Sequence, residues 1–261
     1  MKAIIFCAGL GTRLKPLTDT MPKALVPING KPLLQWQVEK LRDAGIKDIV
    51  VNVHHFSDQI IEAIRVNNGW GCNISVSDER DALLDTGGGL RKAKELLLPT
   101  NDSASPFLAC NVDILSNINI KTFIKEYSKS PSLGLLVVSP RETQRYLLFD
   151  KENTLRGWTN IATGEVRPES LSPKDGFSTF DYKQAGLKPL AFSGMQILSP
   201  AIFDHMEAVI AEKGAKFSLI DLYLSICKEE VLKAFVPKNY KMMDVGKINQ
   251  LEDARFFSEK L

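Results

Sequence analysis

The chain has 261 residues, of which 44% are hydrophobic and 25% are charged, and these proportions are typical of globular proteins rather than disordered or fibrous ones. The net charge of +2 does not indicate the clustered basic surface of nucleic-acid-binding proteins, so we expect no nucleic-acid partner. No apolar run approaches the ~18 residues that a membrane-spanning helix requires, so we expect no membrane association. This length supports a complete hydrophobic core, and we expect a single domain over residues 1–261.

The cysteines are far apart in the sequence and form no C-x-x-C pair: Cys7, Cys72, Cys110 and Cys227. We interpret them as reduced, buried residues of a cytoplasmic protein, with a structural role favoured over a redox or zinc role. Residues 1–10 resemble a secretory signal only superficially. The apolar run is short and continues into a glycine-rich loop, so we interpret it as a strand.

Residues 3–8 form an apolar run that ends at a loop rich in glycine and cationic residues. The run is too short and too β-branched for a helix, which favours a buried strand. Gly9 and Gly11 allow positive φ angles and a close approach of a ligand to the backbone, and Arg13 and Lys23 add positive charge. The loop suits a polyphosphate, although these residues alone leave an ordinary turn with surface cations as an equal alternative.

Two well-known phosphate-binding motifs are absent from the sequence. No G-x-x-x-x-G-K-[ST] run occurs, and Leu14 stands where a dinucleotide fingerprint has its third small residue. Pro16, Pro22, Pro27 and Pro32 prevent a helix from beginning directly after the glycines. We therefore expect a long, extended loop that wraps its ligand, and a nicotinamide-dependent oxidoreductase is a weak alternative.

The order of motifs resembles that of the sugar-1-phosphate nucleotidyltransferases, in which a strand precedes A-G-x-G-x-R-x-x-P-L-T, P-K-x-L-x-P and G-x-P. The corresponding segments here are residues 8–18, 22–27 and 30–32. The resemblance implies that the incoming nucleotide binds Ala8, Gly9, Gly11, Thr12, Arg13 and Lys23. It also implies that Arg13 and Lys23 are the catalytic cations, with Lys23 at the phosphates of the reacting centre.

Strands and helices are expected to alternate after this loop. The patterns predict helices at residues 32–44 and 57–66, with Ser57 as the N-cap of the second, and strands at residues 47–53 and 72–76. His54 and His55 are interpreted as a polar strand end, with a ligand or metal role as the alternative. The fold class is α/β, with a doubly wound, mostly parallel but mixed, Rossmann-like sheet that binds ligands at the carboxyl ends of its strands.

Three successive glycines follow Asp85 and Thr86 and are expected to precede a helix within residues 83–98. Glycines at this position allow a flat group to approach the backbone closely, although a flexible loop is the alternative. The resemblance implies that Asp85, Gly87 and Gly88 lie under the nucleobase. This form of the motif is most similar to that of the N-acetylmuramate-1-phosphate uridylyltransferases, in which Glu is commoner than Asp.

Residues 106–114 form an apolar strand that ends in Asn111 and Asp113. A carboxylate beside an amide at a strand end can hold a hard cation against phosphate, although a strand end without a metal is the commoner case. The resemblance implies that Asp113 is a magnesium ligand and that Asn111 lies near the sugar. Val112 replaces the glycine that the family has here.

An insertion at about residues 140–188 is expected, with a hairpin formed by residues 146–149 and 154–158. The long segment 159–187 is interpreted either as a lid near the sugar or as an inert surface loop. Strands are predicted at residues 190–198, 231–236 and 241–245, and a helix at residues 200–212. The resemblance implies that Ser193 and Gly194 lie beside the sugar and that Asp244 is the second magnesium ligand.

These residues together predict an enzyme that joins a nucleoside triphosphate (NTP) to a sugar-1-phosphate, releasing pyrophosphate and forming an NDP-sugar with Mg²⁺ as cofactor. The favoured pair is UTP with N-acetylmuramate-1-phosphate, for a role in NDP-sugar biosynthesis for the cell envelope. The alternatives are GTP with mannose- or heptose-1-phosphate and, from another class, a non-catalytic regulatory protein that binds sugar nucleotides. We expect a monomer or a homodimer.

Overall fold

The computed structural model describes residues 1–98, 105–171 and 181–261. Its strands are β1 (Ala3–Phe6), β2 (Pro27–Ile28), β3 (Lys31–Pro32), β4 (Asp48–Val53), β5 (Asn73–Asp78), β6 (Phe107–Asn111), β7 (Ile114–Ser116), β8 (Gly134–Ser139), β9 (Arg145–Phe149), β10 (Leu155–Asn160), β11 (Glu165–Arg167), β12 (Lys188–Leu198), β13 (Leu232–Phe235) and β14 (Met242–Asp244). Its helices are α1 (Leu33–Asp43), α2 (Ser57–Val66), α3 (Asp85–Lys92), α4 (Lys94–Leu97), α5 (Ile120–Lys129), α6 (Met206–Lys213), α7 (Leu219–Ile226) and α8 (Leu251–Ser258).

The centre of the main sheet is parallel. β1 lies between β4 and β6, with Ile5 opposite Val51 on one side and Cys110 on the other, and β5 follows outside β4. All four residues of β1 are buried, which explains why the first apolar run does not alternate with polar residues. Since these strands are parallel, their carboxyl ends meet at one edge, where the candidate site residues lie.

The other half of the sheet is antiparallel and is organised by β12. This strand pairs with β6, β8 and β9, and its register on β8 shifts between Phe192 and Gln196. The hairpin of β9 and β10 is confirmed, and β11 and β13 add to β10 and β8. The predicted mixed sheet is therefore confirmed, with ten strands in the described part of the chain.

Helices pack on both faces of the sheet, which gives two hydrophobic clusters. Ile5 faces the cluster that contains residues of α1, α5 and α8, while Ile4 faces the cluster that contains residues of α3, α6 and α7. Neighbouring residues of β1 thus point to opposite sides, as strand geometry requires. The doubly wound arrangement is confirmed. None of the described helices combines the length and the apolar character needed to cross a membrane.

Some predicted details differ in the structure. Ser57 is the first residue of α2 and not its N-cap, because Phe56 holds that position with a left-handed φ of 52°. The predicted helix at residues 200–212 is divided into a 3-10 helix, Pro200–His205, and α6. Part of the segment predicted as a lid, residues 159–187, forms β11. Residues 172–180 of that segment lie outside the described part of the chain.

The four cysteines are free, as predicted. Cys7, Cys110 and Cys227 are buried, whereas Cys72 is only half-buried. Burial raises the pKa of the Cys7 thiol, with smaller contributions from Cys110 and Asp113, and it raises the pKa of Cys110 to about 12. These thiols remain protonated at neutral pH, which agrees with a structural role.

Candidate active site

A cavity of about 350 Å³ opens at the carboxyl ends of β1, β4 and β6. The loop after β1, the end of β6 and the start of α3 all contribute to its lining. The lining includes Ala8, Gly9, Lys23, Asn52, Asp85, Thr86, Asn111, Asp113 and Lys216. The fold therefore brings the predicted nucleotide-binding loop, the predicted base-binding segment and one predicted metal ligand to the same space.

Gly11 makes the turn that folds the loop after β1 back on itself. Its φ is +65°, and a Cβ at this position would lie 2.9 Å from Thr18 Cγ2 and 3.0 Å from Lys23 Cβ. Thr18 Oγ1 also donates a hydrogen bond of 2.9 Å to the Gly11 carbonyl oxygen. By contrast, a Cβ on Gly9 would meet no atom within 4 Å. Glycine is thus required at position 11 by the backbone conformation and by the packing of Thr18 and Lys23. At position 9 the protein leaves open space beside the backbone, in the wall of the cavity.

Asn52, at the end of β4, connects this loop to the next segment. Its Oδ1 accepts a 2.7 Å hydrogen bond from Cys7 N, and its Nδ2 donates a 2.7 Å hydrogen bond to Glu79 Oε1. Glu79 is fully buried, and burial raises its pKa. His54 is hydrogen-bonded through Nδ1 to the Glu79 carbonyl oxygen, in agreement with a polar strand end. Sequence reasoning missed Asn52, although a polar residue within the otherwise apolar run of residues 49–53 was a usable signal.

Lys23 and Asp113 form an ion pair at the floor of the cavity. Lys23 is only 9% exposed and lies in a 3-10 helix, Lys23–Leu25, while Asp113 stands directly between β6 and β7. The pair connects the loop after β1 to the end of β6. Lys23 is predicted to contact phosphate and Asp113 to bind magnesium, and the structure places the two side chains in direct contact.

The short ribbon of β7 and β14 brings Asp244 to the same place. Asp244 is opposite Ile114, and Val245 N donates a 2.8 Å hydrogen bond to the Asp113 carbonyl oxygen. Asp244 Oδ1 is buried and has no hydrogen-bond partner among the described residues. Burial and the nearby charge of Asp113 raise the pKa of Asp244, and the cations Lys23, Arg13 and Arg141 oppose that rise. Two carboxyl groups far apart in the sequence therefore share one small region.

Arg13 reaches this region from the loop after β1. It lies in a 3-10 helix, Thr12–Leu14, and its guanidinium approaches Asp244 above Gly246. A Cβ on Gly246 would lie 2.8 Å from Arg13 Nη2 and 2.7 Å from Asp244 Oδ1. Gly246 therefore leaves room for the Arg13 guanidinium and the Asp244 carboxylate on the same side of the backbone.

The three glycines of the second motif are predicted to precede a helix, and this prediction is wrong. They lie inside α3 and are buried. A Cβ on Gly87 would lie 2.5 Å from the Phe217 ring, and one on Gly88 would lie 2.2 Å from the Ala215 carbonyl oxygen. Protein atoms thus occupy the space that the missing side chains leave. The residues of this motif that line the cavity are Asp85, with a φ of 60°, and Thr86.

Ser193 and Gly194 lie where the register of β12 shifts, next to the end of β6. Gly194 has a φ of +68°, and a Cβ there would lie 3.0 Å from both Asn111 Nδ2 and Ile114 Cγ1. The structure thus brings together the three residues predicted to lie near the sugar. Val112, which replaces the family's glycine, has its side chain buried in the core.

Among the described residues, no group of three or more His, Cys, Asp and Glu side chains is arranged to hold a metal ion. Asp113 and Asp244 are the two carboxylates that could hold one here, if water or substrate oxygens supplied the other ligands. Such incomplete protein coordination is ordinary for Mg²⁺, which keeps several water molecules.

Comparisons with known proteins agree with this geometry. Residues 2–154 match the family model of the nucleotidyl transferases. The N-acetylmuramate alpha-1-phosphate uridylyltransferase of Neisseria meningitidis serogroup B is 33% identical over 211 residues, which cover 80% of this chain and 79% of that protein. The mannose-1-phosphate guanyltransferase beta-B of Xenopus laevis is 28% identical over 234 residues, covering 84% of this chain and 58% of that protein.

A crystal structure from Bacillus anthracis, named as a glucose-1-phosphate thymidylyltransferase, matches the fold with a TM-score of 0.78. It covers 100% of this chain and 96% of its own at 16% identity, so this likeness supports the fold alone. The other two matches show the family as well, because the family model covers more than half of the chain and the Neisseria relative is 33% identical over 80% of it. The chain belongs to the nucleotidyl transferase family and, within it, to the sugar-1-phosphate nucleotidyltransferases.

Proposed function

We propose that this enzyme transfers UMP from UTP to N-acetylmuramate-1-phosphate, releasing pyrophosphate and forming UDP-N-acetylmuramate. The observation that carries the transfer is the Lys23–Asp113 ion pair in the cavity lining, with Asp244 near Asp113. The choice of substrates is supported by the form of the Asp85 motif and by the named activity of the Neisseria relative.

A second candidate is a guanylyltransferase that acts on mannose- or heptose-1-phosphate. The similarity to the Xenopus mannose-1-phosphate guanyltransferase favours it. A non-catalytic regulatory protein is a poorer candidate, because loss of catalysis would remove the selection for the charged residues of the centre. Arg13, Lys23, Asp113 and Asp244 are all present in this chain.

We assign the predicted residues to the triphosphate, the base and the sugar. The backbone at Ala8, Gly9 and Gly11, with Thr12 and Arg13, binds the triphosphate, since glycine-rich loops expose N–H groups to phosphate oxygens. Asp85 lies at the base, beside the segment that includes Gly87 and Gly88. Asn111, Ser193 and Gly194 form the sugar side.

Asp113 and Asp244 are proposed to hold Mg²⁺. The unpaired, buried Oδ1 of Asp244 fits this role, because a buried carboxylate oxygen without a partner is costly unless a cation or proton satisfies it. Hard carboxylate oxygens are also the ligands that Mg²⁺ prefers. When bound, the ion would neutralise phosphate charge and orient the two substrates.

The chain itself would act by positioning and by charge neutralisation. The nucleophile is a phosphate oxygen of the sugar-1-phosphate, which attacks the α-phosphorus of UTP while the bond to pyrophosphate breaks. A phosphate monoester has a second pKa of about 6, so it is largely dianionic at neutral pH and requires no general base. Lys23, held by Asp113, and Arg13 offset the negative charge that develops on the oxygens around the α-phosphorus.

The remaining proposals concern the setting of the enzyme. We propose one domain over residues 1–261 with its insertion at about residues 140–188, acting in the cytoplasm as a monomer or homodimer. Its product would supply precursors of the cell envelope. Residues 159–171 and 181–187 are the described part of the segment within this insertion for which we propose the role of a lid over the sugar.

The test is pyrophosphate release in Mg²⁺ from UTP, GTP, CTP, dTTP and ATP, each combined with several sugar-1-phosphates. We expect turnover to be highest with UTP and N-acetylmuramate-1-phosphate, and Asp113→Asn to abolish it. Asp204→Asn is the matched control, because Asp204 is an exposed aspartate outside the cavity. Higher turnover with GTP and mannose-1-phosphate would replace the favoured substrates, and no release with any pair would contradict catalysis.

A further inference from the structure

Arg141 follows β8 and lies beside residues of β12 that we propose to bind the sugar. Its Nη2 donates a 3.1 Å hydrogen bond to the carbonyl oxygen of Phe192, the residue directly before Ser193. This is the place where the register of β12 shifts and Gly194 packs on Asn111. The bond fixes the arginine against the backbone of the proposed sugar site while the residue remains exposed.

The charge of Arg141 is not used by another side chain in the described part of the structure. Several other exposed arginines are paired there with carboxylates, as Arg65 is with Glu62 and Arg91 with Glu207. Arg141 forms no ion pair with a described residue, and its hydrogen bond to the Phe192 carbonyl oxygen uses a single N–H group. A guanidinium has five donors, so most of the binding capacity of Arg141 is free.

The field of Arg141 reaches into the active site. Besides opposing the rise in the pKa of Asp244, it opposes the rise that burial causes in the pKa of Tyr240. Tyr240 lies beside Ser193, one of the residues that we propose to lie at the sugar. The arginine thus stands beside residues that we propose to lie at the sugar.

We propose that Arg141 selects acceptors that carry a carboxylate on the sugar ring, by pairing its guanidinium with that carboxylate. The inference rests on the proposed function and adds a residue that determines the acceptor. N-acetylmuramate has a carboxylate on its lactyl ether, whereas N-acetylglucosamine has a hydroxyl group in that place. A planar guanidinium binds a carboxylate through two parallel hydrogen bonds, and this geometry makes arginine the suitable residue.

The alternative is that Arg141 binds the phosphate, which all sugar-1-phosphates share. The two roles are separated by measuring kcat/KM for N-acetylmuramate-1-phosphate and N-acetylglucosamine-1-phosphate in the wild type, Arg141→Gln and Arg141→Lys. For Arg141→Gln we expect a loss of roughly 10- to 100-fold with the acidic acceptor and little change with the uncharged one. Arg141→Lys should lose less activity than Arg141→Gln, because lysine keeps the positive charge but lacks the planar guanidinium that forms two parallel hydrogen bonds.

Arg145→Gln is the matched control, since Arg145 is a nearby exposed arginine that has no ion pair with a described residue. It should leave the ratio of the two acceptors unchanged. Calorimetric binding of UDP-N-acetylmuramate and UDP-N-acetylglucosamine gives a readout independent of turnover. We expect Arg141→Gln to weaken binding of the first product only.

Equal losses with both acceptors, or no loss with either, would overturn the proposal while leaving the transferase function intact. A wild type that prefers the uncharged acceptor would also overturn it. If the wild type neither turns over nor binds any of these compounds, the proposed function itself fails, and the role of Arg141 fails with it.

Discussion

The ammonium group of Lys23 is ion-paired with the carboxylate of Asp113, so the loop after β1 and the end of β6 meet at the floor of the cavity. If Lys23 neutralises charge on the reacting phosphate, Lys23→Gln should lower kcat by roughly 10²- to 10³-fold and change KM for the nucleotide less. Steady-state kinetics measures both constants. Lys15→Gln removes an exposed lysine of the same loop and should have little effect. A raised KM with an unchanged kcat would mean that Lys23 only binds the nucleotide.

Gly9 and Gly11 should respond differently to alanine. Gly11→Ala forces a side chain into a left-handed backbone with contacts of 2.9 and 3.0 Å, and we expect it to lower the free energy of unfolding by about 1–3 kcal/mol. Gly9→Ala meets no atom within 4 Å, so it should leave stability nearly unchanged and weaken nucleotide binding. Urea unfolding and calorimetry measure the two effects. Equal destabilisation by both substitutions would contradict this assignment.

Gly88→Ala should reverse the usual effect of alanine in a helix. Alanine is favoured over glycine by about 1 kcal/mol in a helix interior, but here its Cβ would lie 2.2 Å from the Ala215 carbonyl oxygen. We therefore expect destabilisation by roughly 1–3 kcal/mol in urea unfolding. Lys92→Ala, at an exposed position of the same helix, should stay within about 0.5 kcal/mol of the wild type. A stabilised Gly88→Ala variant would show that α3 is not packed on residue 215.

Asp244 should make stability depend on pH. Its pKa in the folded protein is raised, chiefly by burial, so the folded state binds the proton more tightly than the unfolded state. Below the ordinary range of an aspartate both states are protonated, and Asp244→Asn should match the wild type. As pH rises through the raised pKa the carboxylate ionises at a cost to the fold, and Asp244→Asn becomes the more stable protein. Urea unfolding at pH 3 and pH 8 tests this, and an Asn variant less stable at pH 8 would contradict it.

Mg²⁺ should remove this cost in the wild type. If Asp113 and Asp244 hold the ion, adding Mg²⁺ at pH 8 stabilises the wild type by mass action. The Asp244→Asn variant should gain less, because one of the two carboxylates is missing. Thermal unfolding with and without Mg²⁺ measures the difference. An equal gain in both proteins would place the ion elsewhere.

The sequence was most informative where local physics determines the structure. The apolar run of β1, the helical spacing of α1 and the hairpin of β9 and β10 each depend on residues close in the chain, and each is confirmed. The start of α2 depends on the backbone of Phe56, which takes a left-handed φ that its residue type does not predict. Propensity could not identify that residue as the cap.

The site was predictable only in part, for the same reason. Lys23 and Asp113 could be singled out from their motifs, but their direct contact depends on how the loop folds back at Gly11. The glycines of α3 are predicted to let a ligand approach the backbone. In the structure the space beside Gly87 and Gly88 is filled by Phe217 and Ala215, from a segment more than a hundred residues away. Arg141 lies outside the motifs. Its position near the proposed sugar site depends on a hydrogen bond to Phe192 in β12, which is distant in the sequence.

The central claim is that Asp113 and Asp244 act together on one ion. The most direct test is pyrophosphate release by Asp113→Asn, Asp244→Asn and the double variant, with UTP and N-acetylmuramate-1-phosphate. If both carboxylates hold one ion, each single variant should lose on the order of 10³-fold in kcat/KM, and the double variant should lose hardly more. If the two losses multiply in the double variant, the carboxylates act independently, and the shared metal centre is wrong.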